Sequence, residues 1–206
     1  FFKLRSAYLE PKPIQKPHPP IWIGGQSPKT LELIGRAADG WIPGGSTPEI
    51  YLNCVQTIAR SAKEAGREPG QIENAVLMPT AVSKDHDEAQ KYVEMTAKIV
   101  ALHGPQILKQ MGFEPPTYDF SYGKFTYSRE GIERLHEEAK KIPFELLKRR
   151  AIFGTPDDCI DTIEGYVKSG AKHIVVRPQS GDPNIRARFL RAYATKIIPY
   201  FKEKRN

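Results

Sequence analysis

The sequence predicts an α/β protein in which parallel strands alternate with helices, and two recurrent features carry that prediction. Short apolar runs end in glycine pairs: Ile21, Trp22 and Ile23 stop at Gly24 and Gly25, and Trp41 and Ile42 stop at Gly44 and Gly45. A hydroxyl residue followed by proline also opens a helical period three times, at Ser27 with Pro28, Thr47 with Pro48 and Thr155 with Pro156. The hydroxyl accepts an otherwise unpaired N–H, and proline at the first helical position gives up a donor that no helix uses there. Strands and helices in this alternation call for right-handed crossovers and a parallel sheet.

The first twenty residues hold five prolines and read as an extended entry segment. The chain opens on Phe1 rather than methionine, which reads as a processed piece or a fragment of something longer. After the first strand, Leu31, Ile34 and Ala38 share one helical face, and Asp39 and Gly40 end that helix. Ile50, Cys54, Ile58 and Ala62 recur every four residues up to Gly66, an amphipathic helix. Asn74 to Ser83 is the third strand, with Pro79 marking an edge or a bend. Asp85 and Glu88 make a capping box for a helix carrying Ala89, Val93, Ala97 and Val100, which Gly104 stops. From 105 to 150 the pattern loosens, and Phe113 to Tyr127 packs six aromatics among Pro and Gly, as expected of a folded insertion or lid. A helix then presents Ile160, Ile163 and Val167 and closes at Gly170. His173 to Arg177 is the fourth strand, and a last helix carries Ile185, Phe189, Tyr193, Ile197 and Tyr200. Four strands are too few to close a β/α barrel, so residues 1–206 read as a single domain amounting to about half of one.

A chain of 206 residues with 39% hydrophobic content suits one globular domain. No apolar run approaches the roughly 20 residues that span a bilayer, so the expected location is cytoplasmic, with no membrane partner. The net charge of +7 comes from Lys and Arg spread along the chain. Only Lys148, Arg149, Arg150 and the tail residues Lys202, Lys204, Arg205 cluster, and helix ends carry such residues for dipole and solubility reasons. That distribution speaks against nucleic acid and for an anionic small molecule. Cys54 and Cys159 lack paired spacing and read as buried reduced thiols. The five histidines, His18, His86, His103, His136 and His173, show no metal spacing, and no metal site is assigned.

Two stretches, PKPIQKPHPPIWIGGQSPKTLELIGRAADGW and GTPDDCIDTIEGYVKSGAKHIVV, resemble the luciferase-like monooxygenase superfamily, and within it the deazaflavin-dependent reductases such as methylene-tetrahydromethanopterin reductase. That resemblance implies an eight-stranded β/α barrel of which this chain holds the C-terminal half. It implies an oxidoreductase transferring hydride to or from a small-molecule substrate, with coenzyme F420, or alternatively FMN, as cofactor. It also implies that the backbone at Gly24, Gly25, Gln26 and Ser27 cradles the cofactor phosphate while Gly44, Gly45 and Ser46 close the site. The physics agrees, because a missing Cβ lets an anion approach the backbone and a helix N-terminus favours negative charge. The competing reading is that these glycines only make tight turns. Neither a GxGxxG fingerprint nor a Walker loop is present. By the same resemblance Arg177, at the end of the last strand, faces the phosphate; it reads equally well as a surface or ion-paired arginine. Trp22 and Trp41 read as core residues in preference to flavin contacts. The strands that supply catalytic groups in this superfamily have no counterpart here, so catalytic residues are unassigned. Exposed sheet edges predict a homo-oligomer or a missing N-terminal half; a noncatalytic partner-binding relative is the rival reading.

Overall fold

The computed structural model describes residues 3–204; Phe1 and the Arg205 of the basic tail lie outside them. The opening elements are β1 (Trp22–Ile23), α1 (Pro28–Ala37), β2 (Gly40–Trp41) and α2 (Pro48–Glu64). Ser27 Oγ accepts the Thr30 N–H at 3.2 Å and Thr47 Oγ1 accepts that of Ile50 at 3.4 Å, so both hydroxyls cap the helices as the sequence predicts. β3 (Glu73–Val82) leads into α3 (His86–Leu102), α4 (Pro105–Gln110) and α5 (Arg129–Lys140). Asp85 caps α3, but Glu88 does not close the box; its carboxylate is taken by Ser83 and by Arg188 at 3.0 Å. The reciprocal box forms instead at α6 (Pro156–Lys168), between Thr155 and Asp158.

Before α6 the chain makes two 3₁₀ turns and then β4 (Ile152–Gly154), a strand the sequence pattern does not predict. Three residues are too few to show a period, and Gly154 and Thr155 read as a helix entry. The sheet therefore has five strands rather than four. β5 (His173–Pro178) is followed by α7 (Pro183–Ala192) and α8 (Ile198–Glu203). The predicted unbroken last helix is interrupted by a π turn at Tyr193–Ile197. Pro199 has no N–H to return to the preceding turn, and a widened turn accommodates that loss.

Every strand pairing is parallel. β3 is the hub: its start pairs with β2, its length with β5 and its end, Thr80 to Val82, with β4. Pro79 lies neither at an edge nor at a bend but inside this hub strand. The odd residues of β3 donate toward β2, as Glu73 does to Asp39 O and Leu77 to Pro43 O, both at 2.9 Å. β2 leaves after the Gly44–Leu77 bridge and β4 begins opposite Thr80, so the proline's missing donor falls in the gap between them.

Strand alternation gives the sheet two unlike faces. Trp41, Val76, Met78 and Thr80 face the helices and are buried, with Trp41 stacked on Tyr51 of α2 at 4.8 Å between ring centroids. Trp22, Gly44, Leu77, Val175 and Arg177 share the other face. There Trp22 stays 39% exposed and Val175 38%. Trp41 is thus a core residue, as the sequence suggests, and Trp22 is not. It lies on the edge strand over Gly40, where a Cβ would meet the indole at 2.4 Å, with His173 edge-on at 5.8 Å. Both cysteines are buried free thiols, and burial pushes the Cys159 thiol up to about 12. No described helix is long and apolar enough to cross a membrane.

The α1–α2 crossing depends on Gly35. A Cβ there would stand 2.6 Å from Ile58 O and 2.7 Å from Ser61 Cβ, both on the facing helix. Arg67 secures the same helix end by donating to the carbonyls of Gly35 and Ala38 at 2.8 Å. Gly35→Ala is expected to cost about 1–3 kcal/mol of stability by forcing the two helices apart. Gly181→Ala, where no atom lies within 4 Å of the added carbon, is the matched control and should change the urea midpoint little.

Candidate functional site

Because all the strands are parallel, their C-terminal ends share one rim of the sheet. At the first loop, Ile42 N donates to Ile23 O at 3.1 Å, so β1 stays tied to its neighbour up to Gly24. Gly25 has φ +100°, a conformation that disfavours any residue with a Cβ, and a Cβ there would press on Thr30 at 3.3 Å. Two side chains then fasten this loop to the next. Gln26 Nε2 donates to Gly44 O at 3.0 Å, and Trp41 Nε1 donates to Gly25 O at 2.8 Å. Ser27 spends its hydroxyl on the α1 cap and on Thr30 Oγ1 at 2.8 Å. Gly24, Gly25 and Ser27 are solvent-exposed, and Gln26 is half-buried.

The second loop divides. Gly44 is exposed, and nothing lies within 4 Å of where its Cβ would be. Gly45 and Ser46 are buried. A Cβ on Gly45 would meet Arg150 O at 2.6 Å, and the Arg150 guanidinium donates through Nη2 to Gly45 O. The Tyr166 hydroxyl lies against both Ser46 O and Arg149 O, donating to one at a time, and burial raises its pKa. Seven of the eight residues chosen from sequence thus sit on two cross-linked loops. Arg177 stands apart: it is exposed on β5 opposite Pro79, two residues past the partner of Leu77. Strand spacing puts its Cα about 12 Å from that of Gly44.

Sequence reasoning missed Arg150, which it grouped with Lys148 and Arg149 as a solvated helix end. Two of the three fit that description. Lys148 pairs with Glu145 at 2.5 Å and Arg149 with Glu49 at 2.6 Å, both in solvent, where such pairs contribute little. The Arg149 hydrogen bond holds the Glu49 carboxyl below its usual range. Arg150 alone turns inward, and three consecutive basic residues carry no signal that tells them apart.

A cleft of about 420 Å³ opens beside this rim, lined by Pro48, His86, Arg149, Phe153, Asp158 and Asp161 among others. None of the residues chosen from sequence lines it. His86 Nδ1 lies 3.1 Å from Asp158 Oδ2. Burial would raise the Asp158 carboxyl, but the Thr155 N–H and the His86 ring hold it below its usual range. Chemically, the rim offers backbone and helix-start donors suited to an anion, whereas this cleft mixes an imidazole and carboxylates with the basic Lys148 and Arg149.

Comparison with known proteins places the chain in context. The family model for luciferase-like monooxygenases matches residues 1–173. A 5,10-methylenetetrahydromethanopterin reductase of Methanopyrus kandleri is 26% identical over 213 residues, covering 98% of this chain and 56% of that protein. A phthiodiolone/phenolphthiodiolone dimycocerosates ketoreductase of Mycobacterium tuberculosis is 27% identical over 209 residues, covering 98% and 53%. The solved structure of an F420-dependent secondary alcohol dehydrogenase, in complex with an F420–acetone adduct, superposes with a TM-score of 0.73 at 21% identity, covering 96% of this chain and 54% of that one. The chain therefore spans about half the length of the curated relatives it matches. Its parallel sheet is part of a β/α barrel of their kind. With the family model matching most of its length, the chain belongs to the luciferase-like monooxygenase family.

Proposed function

We propose that this chain supplies the phosphate end of the cofactor site in a hydride-transferring oxidoreductase, with coenzyme F420 as the cofactor and FMN as the alternative. The observation that carries this reading is the pair of glycine-ended parallel strands fastened rim to rim by Gln26 and Gly44. An open Gly44 and a left-handed Gly25 leave backbone where a phosphate could approach. Both cofactors carry a phosphate on the ribityl chain, terminal in FMN and a diester in F420, so the rim suits either; the F420-dependent dehydrogenase named above favours F420. When bound, the deazaflavin would give or take the hydride, and a small organic or pterin substrate is the expected partner in that transfer.

Hydride transfer needs a water-poor enclosure around the ring. The sheet face bearing Trp22, Val175 and Arg177 is open to solvent at those residues, although Ala75, Ala81 and Phe153 on the same face are buried. We therefore read residues 1–206 as the C-terminal half of a longer barrel, with 105–150 as its insertion or lid. The same open face favours one second reading: a noncatalytic relative that pairs through it with another chain. A stable monomer by size exclusion would count heavily against that version.

Titration with F420 and with FMN, followed by fluorescence, is expected to give saturable F420 binding tighter than FMN binding. Tight FMN binding with no deazaflavin binding would sink the preferred cofactor, and no binding of either would favour the second reading. Gly44→Val should leave the unfolding free energy from urea titration within about 0.5 kcal/mol of the parent, since the added Cβ enters open space. The same variant should weaken cofactor binding at least roughly tenfold, through the bulk it adds at the rim. Gly45→Ala should instead lose about 1–3 kcal/mol of stability, because its Cβ meets backbone at Arg150.

A further inference from the structure

A second cleft, of about 580 Å³, lies among the helices and is touched by none of the glycine-loop residues. Its walls come from the end of β3, the start of α3, the first residue of α6 and the stretch that runs from α7 into the π turn. A volume of that order admits a small organic molecule. Val82, 2% exposed, and the half-buried Pro156 and Ala192 give the cleft an apolar part. Four cations, Lys84, Arg188, Arg191 and Lys196, also line it, against the single carboxylate of Glu88.

Glu88 is already committed. Ser83 donates to one of its oxygens and Arg188 to the other, the latter at 3.0 Å, and these bonds hold the carboxyl below its usual range. Among the described residues no carboxylate is in salt-bridge range of Lys84, Arg191 or Lys196, so three cations in one cleft lack a counter-charge. The helix dipole accounts for Arg191, in the last turn of α7, but not for Lys84. Lys84 immediately precedes Asp85, the N-cap of α3, at the end of a helix where a cation is disfavoured. Asp85 spends its carboxylate on the Glu88 N–H at 2.8 Å. Arg188 and Arg191 stand three positions apart on α7, where like charges are neighbours and repel until an anion comes between them.

We propose that this cleft binds a small organic anion with an apolar body, its phosphate or carboxylate head held by Lys84, Arg191 and Lys196 and its body laid against Val82, Pro156 and Ala192. An inorganic ion suits it less, because cations standing in solvent attract a hydrated anion weakly. An apolar body adds what the charges alone do not, about fourfold in affinity for each methylene it buries. The proposal does not rest on the cofactor reading, since the cleft shares no residue with the glycine loops.

The test is calorimetric titration of the full chain with hexyl phosphate and with hexanoate, set against inorganic phosphate and hexanol at matched ionic strength. At least one of the two amphiphilic anions should saturate a single site, roughly tenfold or more tighter than inorganic phosphate, and hexanol should not saturate. Tighter binding of hexyl phosphate assigns a phosphate ester as the natural head, and tighter binding of hexanoate a carboxylate. Lys84→Gln combined with Arg191→Gln should weaken the preferred anion about tenfold or more, the scale of two charge-assisted hydrogen bonds. Lys63→Gln combined with Lys202→Gln removes the same net charge from outside the cleft and should leave the affinity unchanged. If the first pair fails to fold, Lys196→Gln serves instead and should weaken binding by a smaller factor. Gly44→Val, which alters the glycine rim, should leave this binding intact, so that loss of F420 and FMN binding with retained hexyl phosphate or hexanoate binding would defeat the cofactor reading and uphold this site. No saturable binding of either amphiphilic anion would overturn the proposal. So would hexanol binding as tightly as the anions, affinity that survives the Lys84 and Arg191 substitutions, or affinity lost equally in the Lys63 and Lys202 pair or in Gly44→Val.

Discussion

The structure depends on one strand. β3 bonds to β2 at its start, to β5 along its length and to β4 at its end, so three crossovers converge on ten residues. Thr80 binds the region from a second direction, donating to Ile152 O at 2.7 Å with the Tyr193 hydroxyl 2.6 Å away. One threonine thus joins the hub, β4 and the π turn of the last helix. Its neighbour Pro79 sits where β2 has left and β4 has not begun, the one register at which a strand can lack a donor on that side and leave no acceptor unpaired.

How much of this the sequence disclosed follows from the range of the forces involved. Helix starts are local chemistry: Ser27, Thr47 and Thr155 each bind an N–H three residues away, and each was legible with its following proline. The glycine-ended strands were legible for the same reason, since Gly25 answers to its own φ. What long-range packing decides was not legible. β4 exists because Thr80 to Val82 offers a free edge to a three-residue partner some seventy positions later. Arg150 differs from Lys148 and Arg149 only in what the fold places above it. Trp22 misled because an apolar strand residue reads as buried whichever face it takes. Glu88 misled because Arg188, a hundred residues on, competes for the carboxylate that a local box would use.

The two faces of the sheet carry different kinds of information. The helix-covered face holds the large buried side chains, among them Trp41, Met78 and the Tyr51 that donates to Ala75 O at 3.1 Å. The opposite face carries Trp22, His173, Val175 and Arg177 in partial or full contact with solvent, with His173 3.1 Å from Glu73. A luciferase-like chain that spans half of its relatives has this asymmetry as its natural consequence, because the strands that close a barrel also close its interior.

The contact between Arg150 and Gly45 spans 105 positions of sequence. In a chain made from its N-terminus, the glycine loops are complete long before the residue that locks the second of them exists. Helices α1 and α2 can dock early, since their contacts are close in sequence. The Gly45–Ser46 turn cannot settle until the whole of 105–150 has been synthesised and folded back, because long loops close only against an entropy that non-local contacts repay late. For this turn the order of settling therefore departs from the order of the sequence. The segment that reads as the start of the site is the last part of it to become rigid.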